Sequence, residues 1–200
     1  MMIVGIDFDN TIVNYDGVFA EAAAEKNMLP ENSLKTKESV KQMLLSQGRE
    51  TDWTKLQGYV YGTKMDDAWI YQGVEDFIGK CAESGWETVV ISHKTKHPFI
   101  GPQYDLHGTA LQWIKSKGLK ISDVFFETTR ENKYARIALE RCTVFVDDLP
   151  DFLLDSSFPV EVKRILFDPN NQHEDSDELM RFNSWKKLQT LFHENLEVSV

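Results

Sequence analysis

Asp7 and Asp9 stand one residue apart at the end of a short apolar run, Ile3 to Ile6, and Thr11 follows them. Alternation along an extended chain places both carboxylates on one side, where their charges repel. Either a cation offsets the pair or one of them keeps a proton. Other residues able to do chemistry follow later apolar runs. Ser92, His93 and Lys94 follow one run. Lys133 comes after the next, just inside a helical segment, and Asp147, Asp148 and, a turn on, Asp151 follow a third.

These types point to one kind of chemistry. Carboxylates gathered from two strands make an all-oxygen site, which suits Mg²⁺ rather than zinc. A Mg²⁺ with open positions calls for a phosphate, whose other oxygens a hydroxyl and an ammonium would hold. One carboxylate is then free to attack phosphorus and become an aspartyl-phosphate. The metal and the lysine reduce repulsion between that anion and the phosphoryl group. The second carboxylate, two residues on, can give a proton to the leaving oxygen and then take one from water.

The elements that must position these residues are legible. Segments 2–8, 87–92, 123–127, 143–148 and 162–168 are short and rich in Val, Ile and Phe. Near-continuous apolar runs suit strands buried on both faces, as in a parallel sheet. Helical patterns separate them at 73–85, 108–118, 131–141 and 183–196, the first two ending at Gly85 and Gly118. The alternation predicts an α/β fold. In an open parallel sheet ligands bind at the carboxyl ends of the strands, so the residues above would face one crevice.

About sixty residues separate the first strand from the helix at 73, far more than a crossover loop needs. Segments 17–29 and 36–48 carry helix formers, with Pro30 and Gly48 as stops, whereas 52–62 is ambiguous. We read 14–72 as a helical insertion forming a small second domain, with Trp53 and Trp69 packing its core or one of them facing a substrate. Residues 1–13 and 73–200 then form the main domain. The polar, acidic stretch 168–178 reads as a loop over the end of the last strand.

Composition narrows the possibilities. An apolar content of 42% supports a sizeable core. The net charge of −10 argues against nucleic acid or an anionic membrane as partner, though not against a small anionic substrate beside a metal ion. Cys81 and Cys142, the two cysteines, lie in apolar stretches and read as buried free thiols of a reducing compartment. There is no signal-peptide pattern and no apolar run near the roughly 20 residues a membrane helix needs, so a cytoplasmic, soluble protein is expected.

Asp7-Phe8-Asp9-Asn10-Thr11, Ser92, Lys133 and Asp147-Asp148 with Asp151 also match, in order, the four motifs of the haloacid dehalogenase (HAD) superfamily. The chain resembles that family over essentially its whole length. The resemblance implies a Rossmann-like, three-layer core with a mainly parallel five-stranded sheet, Mg²⁺ as cofactor, and a helical cap at 14–72 that closes over the site and selects substrate. It makes Asp7 the nucleophile and a metal ligand. Asp9 becomes the general acid/base, its main-chain carbonyl also on the metal. Thr11 would support the motif loop and join Ser92 and Lys133 on the phosphate side. Asp148 would meet the metal, with Asp147 or Asp151 behind it or reaching it through water.

Dehalogenases of this superfamily lack an acid at the position of Asp9, because halide leaves without a proton. The resemblance therefore implies a Mg²⁺-dependent phosphatase acting on a small phosphorylated metabolite. A phosphomutase or other phosphotransferase, and a non-catalytic HAD-fold binding protein, are the competing readings. Specificity is expected in 14–72 and in the loop 93–107. His93 and His97 share a helical spacing that would suit zinc, but Pro98 and the lack of further nearby ligands weigh against it.

Overall fold

A computed structural model describes residues 2–29 and 36–197, with side chains to residue 192. Pro30, expected to end the first insertion helix, lies outside the described residues. The chain divides into two compact units, Met1–Val13 with Ile70–His93 and Leu119–Val200, and Asn14–Trp69 with Lys94–Gly118.

In the first unit the apolar runs become strands β1 (Ile3–Ile6), β4 (Glu87–His93), β5 (Asp123–Glu127), β6 (Val144–Asp147) and β7 (Lys163–Phe167). A sixth strand, β8 (Met180–Phe182), corrects the expectation of five. All pairings in this sheet are parallel, in the order β5-β4-β1-β6-β7-β8. β8 escapes a pattern search because three residues are too few to show a period. Its pairing with β7 is reinforced by Arg181, which reaches back to Asp168. A separate two-stranded sheet joins β2 (Val13–Asn14) and β3 (Trp69–Ile70).

Helices cover both faces of the large sheet, as strand alternation requires. Leu166 lies in a cluster with Phe145, Tyr134 of α6 (Arg130–Leu139) and Phe152 of α7 (Pro150–Leu153). The next residue, Phe167, turns the other way and meets Trp185 at a ring separation of 5.5 Å. Trp185 opens α8 (Trp185–Glu197), which packs on α4 (Val74–Glu83). The result is a Rossmann-like α/β architecture. Cys81 and Cys142 are buried free thiols, which burial pushes up to about 11 and about 12 respectively.

The second unit is helical. Its elements are α1 (Val18–Glu25), α2 (Lys37–Ser46), α3 (Glu50–Thr63), a 3₁₀ turn at Met65–Asp67 and α5 (Leu106–Ser116). The ambiguous segment 52–62 is thus helix. Thr36 caps α2 in a reciprocal arrangement with Ser39, and Asp105 caps α5 by accepting from the Gly108 N–H at 3.0 Å. Phe19 sits at the centre, with Trp53, Tyr61 and Tyr15 at ring separations of 5.2, 5.7 and 5.8 Å. Trp69 is not part of this core: it is 68% exposed on β3.

Segment 94–118, expected in the main domain, groups with the insertion instead. Close packing explains it. A Cβ at Gly58 would lie 2.8 Å from the Pro98 side chain, and one at Gly62 would collide with Tyr104. The two glycines, one helical turn apart on α3, admit the 98–104 loop. Trp113 of α5 then donates its indole N–H to the Ala68 carbonyl at 3.4 Å. No described helix is long and apolar enough to cross a membrane.

Candidate active site

The site is built by strand register. Ile6 of β1 pairs with Val146 of β6, and the Asp7 N–H donates to the Val146 carbonyl at 2.8 Å. Asp7 and Asp147 therefore leave neighbouring strands at the same level. Lys133 comes to them from α6, whose start is set by Thr129 accepting from the Asn132 N–H at 3.1 Å. Lys133 is 2% exposed, and its ammonium bridges Asp7 Oδ1 at 2.6 Å and Asp147 Oδ2 at 2.7 Å. The other oxygen of Asp147 accepts from the Leu149 N–H at 2.9 Å. Asn10, in the left-handed region at φ 63°, donates to Asp148 Oδ2 at 3.2 Å.

Asp7, Asp147 and Asp148 each offer an oxygen within 4.8 Å of the others. Two of the three, Asp7 and Asp147, share the single Lys133 ammonium. Burial pushes Asp7 up, and Asp147 and Asp9 add to the effect. Lys133 counters only in part, so Asp7 titrates at about 6. Burial alone would depress Lys133, but the Asp147 and Asp7 carboxylates outweigh it and hold the ammonium charged, above the usual lysine range. The donor set is all oxygen and acidic, which fits a hard divalent cation such as Mg²⁺.

The other expected residues take distinct places. Ser92 is buried near the end of β4, and Asp9 is half-buried two residues beyond Asp7. Thr11 is fully buried, and its hydroxyl oxygen has no hydrogen-bond partner. Asp151 is exposed on α7 and does not join the three-carboxylate group. His93 and His97 each engage a backbone carbonyl, His93 that of Thr128 and His97 that of Tyr104, both at 3.0 Å. Two residues escaped the sequence reading. Trp185 donates its indole N–H to the Thr11 carbonyl at 3.1 Å, and Asp168 anchors the loop after β7. A strand-end position was the available signal for Asp168; nothing local marks Trp185.

A HAD-superfamily hydrolase from Ehrlichia chaffeensis aligns with a TM-score of 0.59 at 12% identity, over 97% of this chain and 98% of that one. A HAD-superfamily hydrolase of subfamily IA, variant 1, from Geobacter sulfurreducens PCA aligns at 0.60 and 12%, over 96% of both chains. A HAD phosphatase from Thermococcus onnurineus aligns at 0.55 and 13%, over 96% of this chain and 98% of that one. The chain has the fold of the HAD-superfamily hydrolases. No protein-family model and no curated protein matches the sequence. In this HAD fold, Asp7 and Asp147 stand at the carboxyl ends of the two central strands β1 and β6, where an open parallel sheet binds ligands.

Proposed function

We propose that the protein is a Mg²⁺-dependent phosphatase hydrolysing a small phosphorylated metabolite through an aspartyl-phosphate on Asp7. The observation that carries this reading is the buried Lys133 shared between Asp7 and Asp147, with Asp148 completing an oxygen cluster. Such a cluster is costly to bury for structure alone. Its three acidic oxygens suit a cation and, with it, a phosphate.

Asp7, Asp148 and the Asp9 carbonyl would hold Mg²⁺, with Asp147 or Asp151 behind them. When bound, the ion supplies charge stabilisation at the phosphoryl oxygens. Ser92 and Lys133 orient the phosphate, and Lys133 keeps Asp7 in its anionic, attacking form. An Asp7 oxygen forms a bond to phosphorus while the ester P–O bond breaks and Asp9 gives its proton to the departing oxygen. Asp9 then takes a proton from water as the water oxygen attacks phosphorus. Inorganic phosphate leaves, the Asp7 carboxylate is regenerated, and Asp9 is again protonated.

The test is release of phosphate from p-nitrophenyl phosphate and from a panel of phosphorylated metabolites, with and without Mg²⁺. Activity that needs Mg²⁺ and disappears in Asp7→Asn and Asp9→Asn is the expected result. A wild-type protein that is inert on the whole panel with Mg²⁺ bound would overturn the reading.

A further inference from the structure

A tight turn follows Asp7 and carries Asp9, which bridges to Val13 across it. The Phe8 carbonyl accepts from the N–H groups of Ile12 and Val13 at 3.0 and 3.1 Å, and Asn10 adopts a positive φ. Thr11, in the middle, is buried with its hydroxyl unpartnered. The side-chain hydrogen bond that reaches Thr11 comes from 174 residues away, from Trp185 to its carbonyl.

We propose that Trp185 is a positioning residue for the reaction: its indole N–H fixes the Thr11 carbonyl and thereby the turn that follows Asp7 and carries Asp9. This rests on the phosphatase reading above. The indole is itself held rigidly. Trp185 is fully buried, with Phe77 of α4 at a ring separation of 5.1 Å and Phe167 of β7 at 5.5 Å. Gly73 closes a third side: at φ 93°, it would place a Cβ 3.1 Å from that of Trp185. The exit of the turn is held by the segment leading into Gly73, where the Tyr71 N–H donates to the Ile12 carbonyl at 2.9 Å.

Reactive groups must be kept within about 0.5 Å of their working positions for efficient transfer. A buried carbonyl that loses its donor rotates toward another one or stays unpaired, and either outcome disturbs that placement. Ser92 and Lys133 lie on other elements, so the phosphate contacts that these two make should be spared. The effect belongs in kcat rather than KM.

The test compares two conservative variants. Trp185→Phe keeps a buried ring and deletes the N–H. Trp113→Phe deletes the matching bond, indole to the Ala68 carbonyl, in the helical unit. Kinetics are read with p-nitrophenyl phosphate and Mg²⁺ at a temperature where all three proteins are folded. The expected result is a fall of about tenfold in kcat for Trp185→Phe, with KM unchanged and Trp113→Phe like wild type. The Ile12 and Val13 amides should exchange hydrogen faster in Trp185→Phe alone. An unchanged kcat in Trp185→Phe overturns the proposal, and so does an equal loss in Trp113→Phe. An inert wild type defeats the phosphatase reading instead. Exchange at Ile12 and Val13 then decides alone whether Trp185 holds the turn, and unchanged rates overturn it.

Discussion

Asp7 follows β1 and Asp168 follows β7, two buried aspartates at strand ends of one sheet, yet their surroundings differ. Asp168 accepts from the Gln172 and His173 N–H groups at 2.9 and 3.0 Å and from Arg181 at 3.3 Å. Burial pushes Asp168 up, but these donors outweigh it and hold its carboxyl below the usual range. Asp7 shares its one ammonium with Asp147 and is raised to about 6 by burial and its acidic neighbours. A carboxylate supplied with donors of its own ties a loop down. Asp7 must share its partner with Asp147 and has a further carboxylate, Asp148, close by, the arrangement that the proposed Mg²⁺ would relieve. The contrast separates a loop latch from a candidate site without reference to any relative.

The sharpest way to break this comparison is the same substitution at both places. Asp7→Asn should lower phosphate release at least about a thousandfold, while metal-free stability in urea stays level or rises because one clustered charge is gone. Lys133→Met should come next. It leaves two buried carboxylates without their cation, and metal-free unfolding in urea should show a loss of about 3–5 kcal/mol. Third, Mg²⁺ at about a hundredfold its Kd should stabilise the wild type by roughly 2.7 kcal/mol in thermal or urea melts. Asp148→Asn should lose most of that gain and Asp168→Asn should keep it.

The smallest effect is expected at the latch. Asp168→Asn should cost about 1–3 kcal/mol in urea melts and leave kcat per folded molecule unchanged. Because the folded Asp168 carboxyl titrates below its unfolded value of about 3.9, its contribution is complete above that pH. It is lost as pH falls through the lower folded value, and Asp168→Asn should lack this acid-side component. A latch variant that abolished Mg²⁺ stabilisation would erase the distinction between the two aspartates.

How much of this was legible follows from distance along the chain. The strand cores were readable because burial on both faces leaves near-continuous apolar runs, and the carboxylates at their ends come with them. β8 was not, because three residues between a polar loop and a helix carry no period. The α5 helix was readable from 108 onward, but its place beside α3 was not. Gly58 and Gly62, a turn apart, were the visible trace of that packing. Trp69 and Trp53 look alike in sequence, yet Trp69 is exposed on β3 and Trp53 is buried.

By itself, then, the sequence determined the alternation of strand and helix and the residue types at each strand end, since both depend on neighbours a few positions apart. It also placed Asp7 and Asp9 on one short segment. The tertiary structure decided which charges meet: one Lys133 ammonium between Asp7 and Asp147, and Asn10 on Asp148. It also decided that Trp185 holds the Thr11 carbonyl across 174 positions. Those pairings depend on how the sheet orders its strands and how closely helices approach it, and no local pattern encodes either.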